Sequence, residues 1–288
     1  MSGFFRYPGG KSKLKDQIVA KIEKIANGEK LEYREPFFGG GSIGLLTIEK
    51  IANIKHIWLN DFDLGISCLW RTLIQNPEYL KKLVENFKPS IEYFDKFKSD
   101  LTDPKTEIIS DEDIAIHGFK KLAIHQISYS GLGTKSGGPL GGREQKSNYK
   151  IDCRWSPSYI CKKIDSIHKK FSKLAIRNKM CTNLDFSKVI NDNLCNSIIY
   201  LDPPYFDKGN DLYQHGLNYD DHLRLSELLK KTNHKWLLSY DDCPEIRDLY
   251  SWAKIEEIDG VNYSITALKD KDTGERTSRS KVELLITK

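Results

Sequence analysis

The chain has 288 residues, 39% hydrophobic and 30% charged, with a net charge of +5, which is enough apolar content for a full core and excludes a disordered tail or a small disulfide-built scaffold. No apolar run approaches the roughly 18 residues that a membrane span needs, and the N-terminus MSGFFRYPGGKSKLK lacks the apolar stretch of a signal peptide, so a soluble cytoplasmic protein without a membrane partner is expected. Six scattered cysteines without a C-x-x-C pair, and seven histidines without a recognisable ligand set, make reduced thiols and no metal the plain reading.

In chain order, RYPGGKS (6–12) comes first. Its GGKS resembles the end of a phosphate-binding loop, but that motif needs its first glycine at position 5, which is Phe5, and a preceding strand for which there is no room. A helix is expected over 12–26 and a strand over 31–35 (LEYRE), then EPFFGGGS (35–42), a helix over 42–52 and a strand over 56–61 (HIWLND). Strand, glycines, helix and strand-end acid form the arrangement of a nucleotide-like site. The glycines let a ligand approach the backbone, and Asp61 can accept from both ribose hydroxyls.

Between Phe62 and Trp155 the alternation fails, and a helical, loop-rich insert is expected, with a helix over 111–129. At its exit Gly131, Gly133, Gly137, Gly138, Gly141 and Gly142 cannot hold regular structure cheaply, so this segment should be mobile without a ligand. From Gly131 to Lys179 there are twelve Lys or Arg against three acids, a local +9 that leaves −4 for the remaining residues. Tyr129, Tyr149, Trp155 and Tyr159 interleave with Lys135, Arg143, Lys146, Lys150 and Arg154, a mixture of flat rings and cations that suits bases and phosphates. Solvated helix faces and a plain flexible loop account for the same composition.

The alternation then resumes. Helices are expected over 156–171, where Ser156 precedes Pro157 at the first helical position, over 220–231 and over 244–252. Strands are expected over 174–179, 197–202 and 235–240, and residues 254–288 read as two strand-like ends around a polar middle. The fold class is therefore α/β: a doubly wound, mostly parallel sheet with a C-terminal antiparallel hairpin carrying a long mobile loop. The domains expected are 1–62 with 156–288 as one unit and 63–155 as the inserted one. SIIYL (197–201) is an apolar run of the kind buried on both faces, so Asp202 lands at the sheet's carboxyl edge, and Pro203 and Pro204 remove two N–H donors and stiffen the acceptors beside it.

RYPGGK, EPFFGGGS, NDFD and DPPYF, in that order and with a large insertion before the last, resemble the Dam-like DNA adenine-N6 methyltransferases of phage and prophage type. The resemblance spans nearly the whole chain, since SYDDCPEIRDLY and the terminal ELLI share it. It implies a class I, Rossmann-like methyltransferase fold and S-adenosylmethionine as cofactor. Tyr7, Pro8, Gly9, Gly10 and Lys11 would close over the cofactor, Glu35, Phe38, Gly39, Gly41 and Ser42 would cradle its methionine end, and Asp61 would hold the ribose.

By the same resemblance Asp202, Pro203, Pro204 and Tyr205 form the catalytic box, with Asp202 also bordering the cofactor. Tyr129, Lys135, Arg143, Lys146, Lys150, Arg154 and Trp155 would meet double-stranded DNA, and residues 63–155 would be the target-recognition module. The implied reaction methylates the N6 of an adenine flipped out of a specific duplex sequence, with a cognate restriction enzyme as the further partner the resemblance allows. RNA adenine methylation is the nearest rival, and an inactive DNA-binding relative is the rival from another class, which would have lost a catalytic residue. Every expected one is kept here.

Overall fold

A computed structural model describes residues 3–11, 13–102, 110–206, 214–261, 268–269, 276–277 and 281–288. Its seven-stranded sheet is built from β1 (Glu32–Glu35), β2 (His56–Leu59), β3 (Ala175–Ile176), β4 (Ser197–Leu201), β5 (Lys235–Asp241), β6 (Lys254–Val261) and β9 (Lys281–Thr287), in the order β3-β2-β1-β4-β5-β9-β6. β1 pairs in parallel with β2 on one side and β4 on the other, β2 with β3 and β4 with β5 likewise, whereas β9 runs antiparallel between β5 and β6. The short pair β7 (Leu268–Lys269) and β8 (Arg276–Thr277) stands apart. The expected closing hairpin is thus β6 and β9, while most of the mobile loop expected between them lies outside the described residues.

Helices cover both faces. Alternation along β4 shows why: Ile198 and Tyr200 enter one apolar cluster with α1 (Lys15–Ala26), α2 (Ser42–Lys50) and the insert. Ile199 and Leu201 enter a second cluster. The insert contributes α3 (Leu64–Gln75), α4 (Pro77–Asn86), α5 (Ile91–Thr102) and α6 (Asp111–Ile127), and α7 (Pro157–Phe171) follows on the same face. The other face carries α8 (Phe186–Ile190), α9 (Tyr219–Lys231) and α10 (Pro244–Leu249). Starts are set by side chains that satisfy the first N–H groups: Asp63 caps α3, Asn76 caps α4, and capping boxes Ser110/Asp113 and Asn218/Asp221 open α6 and α9. α7 begins at Pro157 as its sequence predicts, although Ser156 makes no side-chain cap bond.

Two expectations are revised. The strand expected over 174–179 shrinks to Ala175–Ile176, because the chain turns into a 3₁₀ segment that sends Arg177 onto Glu32 at 2.8 Å. α10 ends at Leu249 rather than at residue 252. The glycine segment runs through 3₁₀ turns at Tyr129–Gly131 and Gly133–Lys135, with Tyr129 N donating to Gly138 O and Leu140 N to Ile127 O. Two of its glycines serve close approach: a Cβ on Gly133 would lie 2.7 Å from the His125 ring, and one on Gly141 2.2 Å from Tyr149 O.

The sheet's amino-terminal side holds a buried ion cluster. Arg34 is fully buried on β1, where Nε donates to Glu32 at 2.7 Å and the other nitrogens reach Asp192 and the carbonyls of Val189 and Cys195. Removing it strands Glu32 beside one remaining partner, Arg177. Breaking such a buried pair costs about 3–5 kcal/mol, so Arg34→Ala should lower stability by that amount in urea unfolding, while Arg177→Ala, whose side chain keeps 16% of its surface exposed, should cost less.

Candidate active site

Parallel strands put their carboxyl ends on one side, and the strand order reverses at β1, which opens a crevice there. A cavity of about 780 Å³ occupies it, a volume suited to a cofactor-sized ligand. Its wall carries Tyr7, Pro8, Gly9 and Gly10 from the N-terminal loop, Glu35, Phe38, Gly39, Gly41 and Ser42 from β1 and the turn into α2, Asp61 after β2, and Asp202 and Pro204 after β4. These sequence-predicted residues, distant in the chain, therefore share one cleft.

The glycine turn is clamped. Gly39 and Gly41 have φ of 48° and 69°, in the left-handed region, and a Cβ on either would lie 2.7 Å from the Tyr7 ring or the Trp70 ring respectively. Trp70 Nε1 donates to Gly39 O at 2.8 Å, and Gly39 N donates to Asp61 Oδ2 at 2.7 Å. The turn delivers the start of α2, with its positive dipole end, to the cavity at Ser42. This is a cradle in which backbone, rather than side chain, faces a ligand.

The acids of the cleft are held in different states. Burial pushes the Asp61 carboxyl up to about 7, and the neighbouring Asp63 charge adds to this. Asp63 itself, although burial opposes its charge, is kept below the ordinary carboxylate value by Lys121 of α6, which donates to it. Burial raises Glu35 well above the usual range despite the Tyr33 hydroxyl that donates to it at 2.6 Å. Glu35 also takes the backbone N–H of Gly44, so its side chain is engaged with its own strand and helix as well as lining the cavity.

At the β4 edge, Lys11 Nζ donates to Asp202 Oδ1 at 2.6 Å and Ser239 Oγ donates to the same oxygen at 3.2 Å. The Asp202 side chain keeps 21% of its surface exposed, against 1% for Lys11, so the carboxylate faces the cavity and the ammonium stands behind it. Lys11, expected over the cofactor, is instead committed to Asp202, and its ammonium lies 4.5 Å above the Tyr205 ring. Tyr205 donates its hydroxyl to Glu283, and neither it nor Pro203 is on the cavity wall.

The residues expected to meet DNA do not form one cluster. Tyr129 and Lys135 are exposed, Arg143 makes two bonds to Asp95 of α5 at 2.8 and 3.0 Å, Lys146 pairs with Glu144 at 2.6 Å, and Lys150 donates to Gln145 O. Trp155 is partly buried and packs against the insert's core, with its ring edge-on to Phe87 and Phe119 at centroid distances of 5.0 and 6.2 Å. The aromatic zipper of α4, α5 and α6 leaves a gap that an indole fills, which its place beside Arg154 in the sequence did not reveal.

Arg154 lies on the cavity wall together with Arg6, whose pKa is lowered by burial and by Arg154. Arg6, Asp185, Phe186 and Gln214 are wall residues that the motifs did not single out. Arg6 opens RYPGGK but is given no role there, and Asp185 carries a helix-cap signature, its side chain accepting from Ser187 N. Gln214 has no comparable signal, since it is placed by contacts with Lys121, Thr134 and the carbonyl of Leu101. Among the described residues no group of His, Cys, Asp and Glu is arranged to hold a metal.

A family model described as D12 class N6 adenine-specific DNA methyltransferase matches residues 7–263. No curated protein matches the chain.

Gly41→Ala tests the cradle. The added methyl meets Trp70 in a backbone conformation that alanine disfavours, a combination worth about 1–3 kcal/mol. Thermal melting should show that loss, and calorimetry should show weakened binding of the cofactor.

Proposed function

This chain belongs to the D12 class of N6 adenine-specific DNA methyltransferases, enzymes that methylate adenine in DNA, and from that premise we propose that it takes its methyl group from S-adenosylmethionine and acts on an adenine flipped out of a specific duplex sequence. The observation that carries this reading is that one cavity joins the glycine cradle and Asp61 to Asp202 and Pro204. The cradle fits the cofactor: left-handed glycines whose Cβ positions are filled by rings, a helix N-terminus beside them, and a buried acid at the next strand end.

When bound, the cofactor supplies a methyl group on a sulfonium. The chain's own residues do the rest. Asp61 would accept from the ribose hydroxyls, and Ser42 and the start of α2 would hold the carboxylate end. The N6 lone pair of adenine is delocalised into the ring, so it needs two acceptors to pull it toward a tetrahedral shape. Asp202 takes one N–H and the Pro203 carbonyl takes the other. As positive charge develops on N6, the Asp202 carboxylate stabilises it from a fixed position that needs no reorganisation.

An adenine inside a duplex cannot reach a carboxylate set in this cleft, which is why the base must leave the stack. Residues 63–155 serve as the target-recognition module, and Lys135, Arg143, Lys146, Lys150 and Arg154 bring positive charge toward phosphates on that side. The exposed rings of Tyr129, Tyr149 and Tyr159 offer flat surfaces to the duplex or to the orphaned partner base.

Asp202→Ala should abolish methyl transfer, a loss of about 3 kcal/mol or more and over a hundredfold in rate, while cofactor affinity stays close to wild type; single-turnover assays with labelled cofactor and calorimetry check both.

Asp61 must be ionised to accept two hydroxyls, and its carboxyl is protonated below about 7 in the free protein. Cofactor affinity should therefore rise as pH increases through that value and level off above it, and Asp61→Asn should be weak and flat across the same range. Lys146→Ala with Lys150→Ala should flatten the slope of log affinity for duplex DNA against log salt by about two units.

A further inference from the structure

Behind the proposed acceptor stands a carboxylate that the methyl-transfer reading does not use. Glu283 lies on β9, the antiparallel strand, and is 1% exposed. Its Oε1 accepts the Tyr205 hydroxyl and lies 3.7 Å from Lys11 Nζ, the same ammonium that donates to Asp202 at 2.6 Å. Lys11 thus sits between two carboxylates, with the Tyr205 ring beneath it and the carbonyl of Gly9 accepting from it at 3.2 Å.

We propose that Glu283 is a positioning residue for methyl transfer, acting through Lys11 and Tyr205 on Asp202; this rests on the reading of Asp202 as the acceptor of the amino group. Two physical consequences follow from the arrangement. The first is geometric. Lys11 and Ser239 both donate to Oδ1 of Asp202, which turns that oxygen away and presents Oδ2 to the substrate. Lys11 can hold this orientation because Glu283 and Gly9 fix the ammonium from the other side, and the Tyr205 hydroxyl fixes Glu283.

The second consequence is electrostatic. An ammonium in contact with the acceptor cancels its charge, and in a buried site this opposes the positive charge that develops on N6. With Glu283 included, the trio carries a net negative charge, so Asp202 keeps its strength as an acceptor. The lysine orients, and the second carboxylate offsets what the lysine takes away.

Glu283→Gln removes the charge and keeps the shape. The amide carbonyl still accepts from Tyr205, and Lys11 remains paired with Asp202, so the melting temperature should stay near that of wild type. With unmethylated genomic DNA and labelled cofactor, the single-turnover rate should fall roughly ten- to hundredfold, the scale on which misplaced reacting groups are penalised, with cofactor affinity unchanged. In a Lys11→Met background the same substitution should have much less effect, because the residue it acts through is gone. A purely structural role predicts losses that multiply independently.

Full rate in Glu283→Gln, or independent multiplication with Lys11→Met, overturns the proposal. Should Glu283→Gln not fold, Tyr205→Phe removes only the anchoring hydroxyl: a fall in single-turnover rate at unchanged cofactor affinity supports the proposal, and full rate overturns it. Activity retained in Asp202→Ala would instead overturn the acceptor reading, so the two failures are distinguishable.

Discussion

The cleft depends on one constraint, the position of β1 between two parallel partners. With β2 on one side and β4 on the other, the chain must leave β1 in one direction and return from the other, so the turns after the three strands open toward the same space. The glycine turn, Asp61 and Asp202 follow those strands in that order. None of them needs to be close in sequence, and none could be moved without changing the strand order.

Placing several acids in one dry cleft is costly unless each is dealt with separately, and the structure does this by giving each a different neighbour. Glu35 is raised by burial, Asp61 lies near 7, Asp63 is answered by Lys121, and Asp202 is answered by Lys11. The cleft thus pairs its charge at Asp63 and Asp202 with a lysine each, while burial disfavours charge at Glu35 and Asp61.

The insert is joined to this machinery through α6. That helix is buried nearly all round, with Gly118 so close to α3 that a Cβ would lie 2.5 Å from Leu69 N. Lys121 on it reaches Asp63, next to Asp61, and His125 packs between Phe5 and Tyr7 at 5.3 Å from each ring. Burial lowers His125 to about 3, with the Lys121 charge adding to this, so the ring is neutral and its Nδ1 meets the carbonyl of Gly131 at 2.8 Å. The same helix thus touches the acids of the cleft, the N-terminal loop and the glycine segment.

The strands and the strand-end acids were legible because periodicity and turn chemistry are local. An apolar run ending on Asp-Pro-Pro, and a strand running into three glycines, state their positions without help from the rest of the chain. The family resemblance rested on the same local signals in their order. What the sequence could not show is which side chain meets which. Lys11 looked like a cofactor contact because it follows two glycines, yet its ammonium is drawn to Asp202 across 191 residues. Trp155 looked like a nucleic-acid contact because it follows Arg154, yet a gap among Phe87 and Phe119 takes it inward. The need for glycine at Gly133 and Gly141 was likewise not visible in composition, since it comes from the close approach of the His125 ring and of the Tyr149 carbonyl. The sequence by itself determined the order of strands, turns and acids, because these follow from propensity within a few residues. Only the tertiary structure decided the partners of Lys11, Glu283 and Trp155, because a buried charge or ring settles wherever the folded chain leaves it a complementary neighbour.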